Sequence, residues 1–309
     1  MKKNDKIFLA GHKGLAGSAI LAELKKNNYK NIITVTKKEL DLLDQKKVYN
    51  FLKKKKPNYV IIAAALAGGI IVNSLNKGKF LYENMTIQNN IIHGSYLSGT
   101  KNLLFLGSSC IYPKKAKQPF KESSILTGSL EKTNEGYALA KISGIKLCQY
   151  YNLEYGLNYL SLMPCNLYGP NDTYDLKKSH FIPAIINKIY DAKLKKIKEI
   201  TLMGTGKAKR EIMYNEDLGK ACIFFLKKKP SEFLINIGTG KDYSIKYYAE
   251  FIRDRIYKKL KIKFDGNKDM DGTARKINSI TIAKKYGWKA SVSFNEGLKK
   301  TYSNYLTKL

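Results

Sequence analysis

Lys6-Ile7-Phe8-Leu9-Ala10-Gly11-His12-Lys13-Gly14-Leu15-Ala16-Gly17 is the stretch that decides how this chain reads. The short apolar run Lys6–Ala10 suits a strand buried on both faces, and such strands belong to parallel sheets covered by helices. Three glycines follow at the spacing G-x-x-G-x-x-G, and an amphipathic stretch, Leu15–Asn27, begins at once. Strand, glycine turn and helix in that order suit a dinucleotide. Glycine allows the tight turn and lets backbone N–H groups approach a pyrophosphate at the helix N-terminus. Gly11, Gly14 and Gly17 are therefore candidate cofactor residues.

Working outward, the next strand spans Ile32–Val35. An NAD site usually has an acid at its end, on the ribose hydroxyls. Here the run is Thr34-Val35-Thr36-Lys37-Lys38, and the first acid is Glu39. A 2′-phosphate would be drawn to Lys37 and Lys13, so the expected cofactor is NADP(H). Asp41 or Asp44 is placed to meet an adenine or a ribose. Further strands at Val60–Ala64, Leu103–Leu106 and Tyr159–Met163 alternate with helices near Lys46–Lys54, Phe80–Ser98 and Tyr137–Tyr155. Alternation of this kind predicts an α/β fold, a Rossmann doubly wound parallel sheet. The second half is less regular. Helices are expected at Ile182–Ala192, Asp217–Lys227 and Ile245–Lys259, with strands near Ile200–Met203 and Leu234–Ile237. The expected division is an NADP-binding domain over 1–165, a returning segment near 211–240, and a smaller C-terminal lobe, mainly 166–309, for substrate.

Composition narrows the function. The 309 residues carry 56 Lys plus Arg against 25 Asp plus Glu, a formal charge of +31. Such an excess invites a nucleic-acid reading. Yet only Arg210, Arg253, Arg255 and Arg275 are arginines, and phosphate and base recognition draws on the planar fork of Arg. A lysine surplus of this kind reads as a solvated surface, and no nucleic-acid partner is expected. Hydrophobic residues at 44% exclude a disordered chain. The longest apolar candidate, Tyr59–Val72, is too short for a membrane span and holds two glycines. His12 and Lys13 interrupt the N-terminal apolar run, which argues against a signal peptide. Cys110, Cys148, Cys165 and Cys222 have no C-x-x-C spacing, so neither a disulfide framework nor a metal site is expected, and a reducing cytoplasm fits.

Tyr137-Ala138-Leu139-Ala140-Lys141 is Y-x-x-x-K on an expected helix. With 22 tyrosines in so lysine-rich a chain the spacing is common, and Tyr49/Lys53 shares it. Context singles out Tyr137: it follows the strand Leu103–Leu106, which ends in Gly107-Ser108-Ser109-Cys110-Ile111-Tyr112-Pro113. Ligands of open parallel sheets lie beyond the carboxyl ends of strands. Hydride reduction of a ketone creates an alkoxide, which a tyrosine can protonate if its pKa is lowered. Lys141, one helical turn on, supplies positive charge for that purpose, and Ser108 can donate a hydrogen bond to the developing oxyanion.

The glycine loop, Ser108–Pro113, Y-x-x-x-K and the later Asn166-Leu167-Tyr168-Gly169-Pro170 together resemble the extended short-chain dehydrogenase/reductase family. Within it the chain is most similar to the NADPH-dependent GDP-4-keto-6-deoxymannose 3,5-epimerase-4-reductases, the GDP-L-fucose synthases. Glu39–Asp44, Thr133–Leu147, Ser179–Ala184 and Asp271–Lys276 extend the similarity nearly end to end. The resemblance implies that Ser108, Tyr137 and Lys141 form the reduction triad, and that Cys110 and His180 are the acid–base pair for epimerisation at C3 and C5. It places Pro164, Asn166, Leu167 and His180 against the cofactor, together with Tyr137 and Lys141. It assigns Lys188, Arg210 and Asp271 to the GDP part, with Arg210 in bidentate contact with phosphate. It also implies a homodimer through the helices near 80–98 and 137–155. Four positions depart from the family pattern: Leu66 replaces a Lys, Met203 an aromatic residue, Lys188 an Arg, and Gly136 a Pro. The departures cluster where the sugar would bind. A GDP-4-keto-heptose C4 reductase with little or no epimerase activity is the alternative.

Overall fold

A computed structural model describes residues 1–176 and 179–309. In chain order the elements are β1 (Ile7–Ala10), α1 (Leu15–Lys26), β2 (Ile32–Ile33), α2 (Gln45–Lys55), β3 (Tyr59–Ile62), α3 (Ile70–Leu75), α4 (Lys77–Leu97), β4 (Asn102–Leu106), α5 (Glu135–Tyr155) and β5 (Asn158–Pro164). They continue with β6 (Asn166–Tyr168), α6 (Phe181–Leu194), β7 (Glu199–Leu202), β8 (Lys209–Tyr214), α7 (Asn215–Lys228) and β9 (Leu234–Ile237). Last come β10 (Asp242–Ser244), α8 (Ile245–Ile256), β11 (Lys261–Phe264), β12 (Arg275–Lys276), α9 (Thr281–Lys285) and α10 (Phe294–Leu306).

The large sheet has the order β2-β1-β3-β4-β5-β9, all parallel. Alternation along each strand splits its side chains between two cores. Ile7 and Leu9 join Ile61, Leu104, Leu162 and Ile235 under α1 and α7. Phe8 and Ala10 join Val60, Ile62, Phe105 and Tyr159 under α2, α4 and α5. Both faces are thus covered, as the unbroken apolar run of β1 requires. The order reverses between β1 and β3, and the crevice beyond their carboxyl ends is where such sheets take ligands.

β2 ends at Ile33, two residues earlier than expected. The chain turns there because Glu39 binds the backbone of Thr36: the Thr36 N–H donates to Glu39 Oε2 at 2.6 Å, and the Leu40 N–H to the Thr36 carbonyl at 3.0 Å. Asp44, considered above for adenine or ribose, is instead the N-cap of α2 and accepts from the Lys47 N–H at 3.0 Å.

The second lobe is built on β8, which pairs with β6 and β12 in parallel and with β10 antiparallel. The parallel pair β7–β11 lies apart from it. α6, α8 and α10 enclose a third core around Ile186, Ile212, Tyr248 and Leu298. Immediately after β8 the chain re-enters the first layer. Asn215 Nδ2 donates to the carbonyls of Leu15 and Pro170 at 3.0 and 3.1 Å, which ties the start of α7 to the start of α1. Residues 211–214 therefore belong to the second lobe and residues 215–237 to the large sheet and its helices. Buried Glu211 links the two units. Its carboxylate accepts from the N–H groups of Gly240 and Asn278 at 2.7 and 2.8 Å, and Asn278 Nδ2 donates to the Met163 carbonyl at 3.1 Å.

Candidate active site

The glycine loop sits at the carboxyl end of β1. Gly11 has φ +86°, a left-handed conformation that favours glycine, and a Cβ there would overlap the backbone of Ala64. A Cβ on Gly17 would overlap the Gly11 carbonyl. These two glycines are required by the fold. Gly14 is different: it is exposed, and a Cβ there would meet only the Gly11 carbonyl at an ordinary 3.7 Å. Gly14 is the N-cap of α1 and the first turn carries no acid, so the positive end of the helix dipole faces outward unopposed. The bare Gly14 surface at that helix end fits a pyrophosphate.

Lys13 and Lys37 are both exposed near this loop. Lys37 Nζ lies 4.0 Å from Asp41, whose other carboxylate oxygen accepts from the Leu43 N–H. Lys13 and His12 face Glu39, and together with the Thr36 bonds they hold its carboxyl below the usual range. The two lysines therefore stand in mixed company, with an acid beside each.

One strand further on, β4 delivers Ser108 and a short 3-10 turn, Ser109–Ile111. Buried Tyr112 anchors this turn, its hydroxyl donating to Asn236 Oδ1 at 2.6 Å. Cys110 is buried as well. Across from them, α5 brings Tyr137 and Lys141. Lys141 is 3% exposed, and its Nζ donates to the Leu106 carbonyl at 2.8 Å, so it is fixed at the end of β4. It also lies 4.7 Å from the Phe105 ring centroid and 5.7 Å from that of Tyr137. Tyr137 is half-buried with its ring edge-on to Phe80. Gly136 precedes it because α4 begins alongside: a Cβ there would stand 2.5 Å from the Lys77 carbonyl oxygen.

Ser108, Cys110, Tyr137 and Lys141 thus converge, but their electrostatics differ from the expectation. Burial pushes the Tyr137 hydroxyl up, and the neighbouring Cys110 adds to the rise. Burial pulls Lys141 down to about 8. The Tyr137 hydroxyl is therefore raised by burial where the sequence reading expected it lowered. Burial also raises the Cys110 thiol, against the opposing pull of Lys276, Ser108 and Lys141. His180 comes from the second lobe as the N-cap of α6. It is reached by solvent yet surrounded by enough protein to lower its pKa. Pro164 ends β5, the strand beside β4, and Asn166 and Leu167 open β6 just beyond it.

The residues assigned to the GDP part do not join that cluster directly. Buried Arg210 spends two donors on its own lobe, one on the Lys209 carbonyl and one on the Asp271 carbonyl. Three N–H donors are left, enough for a bidentate contact with phosphate. Both carboxylate oxygens of Asp271 bind Thr205, at the N–H and at the hydroxyl, so Asp271 braces the loop Gly204–Gly206. Lys188, half-buried on α6, leans on the Thr201 carbonyl at 3.4 Å. The sequence reading missed two neighbours of the cluster, Lys276 and Glu131. Lys276 pairs in register with Arg210 and faces Cys110 and Glu131. Glu131 is 5% exposed and accepts from Lys114 Nζ at 3.0 Å. Lys276 lies in the quoted Asp271–Lys276 stretch, so a signal existed. Glu131 had none.

The chain is similar over nearly its whole length to proteins of known activity. GDP-L-fucose synthase 1 of Arabidopsis thaliana is 44% identical over 304 residues, covering 98% of this chain and 94% of that protein. The crystal structure of a GDP-6-OMe-4-keto-L-xylo-heptose reductase from C. jejuni superposes with a TM-score of 0.95 at 34% identity, covering 100% of this chain and 99% of the other. A GDP-mannoheptose C4 reductase from Campylobacter jejuni with NADP bound gives 0.90 at 35% identity, covering 99% of each chain. The model of the NAD dependent epimerase/dehydratase family matches residues 7–238, from β1 through β9, and this chain belongs to that family.

Proposed function

We propose that the chain is an NADPH-dependent reductase of the C4 ketone of a GDP-linked 4-keto sugar, with capacity to epimerise C3 and C5. The observation that carries this reading is the convergence of Ser108, Tyr137, Lys141 and Cys110 at the carboxyl end of β4, on the same edge of the parallel sheet as the glycine loop after β1. Similarity to GDP-L-fucose synthases over nearly the whole chain supplies the substrate class. The NADP-bound relative supports the cofactor, which the bare Gly14 surface and the uncapped α1 would hold, with Lys13 and Lys37 toward a 2′-phosphate.

NADPH supplies a hydride when bound. The chain's residues manage the protons. Ser108 Oγ donates a hydrogen bond to the C4 oxygen, stabilising negative charge as it develops. Tyr137 Oη delivers the proton that turns the alkoxide into an alcohol. Lys141, fixed by the Leu106 carbonyl, orients the site from α5. For epimerisation the C4 ketone acidifies the protons at C3 and C5. Cys110 Sγ takes one as thiolate and the His180 ring returns one on the opposite face. Arg210 and Lys188, with Asp271 as brace, hold the GDP portion.

GDP-4-keto-heptose C4 reduction is the second reading. The high structural similarity to heptose reductases favours it, as do Leu66, Met203 and Lys188 on the substrate side. We further propose a homodimer through α4 and α5, whose outer faces expose Tyr82, Leu139, Tyr150 and Leu153, and a cytoplasmic location. One experiment separates the substrate readings: NADPH turnover with GDP-4-keto-6-deoxymannose and with GDP-4-keto-heptoses in deuterated water. Deuterium at both C3 and C5 of the product supports the epimerase–reductase. Turnover without deuterium supports the reductase alone.

A further inference from the structure

Lys276 is half-buried, and the contacts of its chain neighbours set the face it lies on. Its neighbour Arg275 binds Asp242 through two bonds, Nε at 2.6 Å and Nη2 at 2.9 Å, on one face of the β10–β8–β12 sheet. Alternation along β12 then turns Lys276 to the other face, beside Arg210. Glu131 of the first domain accepts from Thr273 Oγ1 at 3.4 Å, the Phe120 N–H donates to the Ile277 carbonyl at 2.8 Å, and the Phe120 ring stacks on Tyr112 at 5.0 Å, so the stretch that holds Lys276 packs against the end of the 3-10 turn that carries Cys110.

We propose that Lys276 is a positioning residue for Cys110, a cation from the second lobe that stabilises the Cys110 thiolate and so makes it competent as a base at the sugar carbon. The inference rests on the epimerase reading and deepens it. Cys110 is ringed by Ser108 on its own turn, Tyr137 and Lys141 on α5, and Lys276 on β12; Lys276 in turn faces Arg210 and Glu131. Lys141 is already engaged with the Leu106 carbonyl. Lys276 has no such bond to the first domain, and its burial against Arg210 weakens its own charge only in part, since Glu131 and Cys110 oppose the fall. The proton lost from Cys110 goes to solvent, and the thiolate then accepts one from C3 or C5. The arrangement makes the base depend on both lobes: the thiol comes from the nucleotide domain and its cation from the substrate lobe.

The test is the pH profile of iodoacetamide alkylation at Cys110, read by mass on its peptide in the native full-length protein. In Lys276→Met the profile moves to higher pH, with alkylation at neutral pH about tenfold slower, and Lys276→Arg restores the native profile. A Lys276→Met profile that superposes on the wild type overturns the proposal. Cys148 and Cys222 are fully buried and report folding in the same digest; Lys276→Gln, which keeps a polar end, replaces Lys276→Met if either becomes labelled. The second readout is deuterium incorporation at C3 and C5, expected to fall in proportion to alkylation. Unchanged incorporation with slowed alkylation also overturns the proposal. Should the wild type turn over without deuterium, the epimerase reading fails, while alkylation still reports on the Cys110–Lys276 pair.

Discussion

In the proposed reaction Tyr137 carries the proton that the reduction needs. Replacing it with Phe leaves the half-buried ring and removes only the hydroxyl. Tyr137→Phe is expected to lower NADPH turnover by about 10²–10⁴-fold with little change in thermal stability; near-normal turnover would remove Tyr137 from the chemistry. Cys110→Ser separates the two activities. It should abolish solvent deuterium at C3 and C5 while a ketone that is already epimerised is still reduced, as NMR of the products would reveal. The convergence of this cluster was legible in the sequence because its determinants are local. Tyr137 and Lys141 are one helical turn apart, and Ser108 and Cys110 flank the end of one strand. Arg210 was legible only by type. Its scarcity in the chain suggested a phosphate contact, but two of its donors turn back to the carbonyls of Lys209 and Asp271, a choice made by tertiary packing. Tyr137's raised pKa was missed for a similar reason: a neighbouring lysine can be counted from spacing, whereas desolvation depends on everything packed around the pair.

At the scale of elements, the strand–loop–helix unit was readable because an unbroken apolar run, three glycines and an amphipathic stretch follow one another without interruption. The structure adds a division of labour among the glycines. Gly17→Ala forces a methyl into the Gly11 carbonyl and is expected to prevent folding of the β1–α1 turn, with a marked loss of thermal stability. Gly14→Ala finds ordinary space and should leave stability nearly unchanged while weakening NADPH, measured by fluorescence titration; equal affinity would separate Gly14 from the pyrophosphate. The short strands β6, β8, β10 and β12 escaped the sequence reading. They are two to six residues long and are held by partners far along the chain. Glu131 and Thr273, 142 residues apart, meet only because the second lobe folds back on the first. No periodicity marks such a pair.

For the molecule as a whole, two units share one chain and are joined through Glu211. Its carboxyl is raised to about 7 by burial, against the backbone N–H bonds that favour its charge. Between its ordinary value, 4.5, and this raised one the folded state holds more protons than the unfolded state. Stability from this group therefore rises as pH falls from about 7 toward 4.5 and is level above and below that window. Relative to Glu211→Gln, the wild type should gain up to about 3 kcal/mol across it in urea unfolding; parallel curves for the two proteins would show that Glu211 does not titrate there. The +31 charge also reads differently at this scale. Most lysines are solvated, and in the proposed reading Lys141, Lys188 and Lys276 are the ones placed near the reduction cluster or the second lobe, where a polyanionic sugar nucleotide would be captured. The most direct measurement is NADPH consumption with a GDP-linked 4-keto sugar, followed by NMR of the product. Stoichiometric NADPH oxidation with conversion of the C4 ketone to an alcohol is the expected result. Absence of turnover with both the 6-deoxyhexose and the heptose substrates would contradict it.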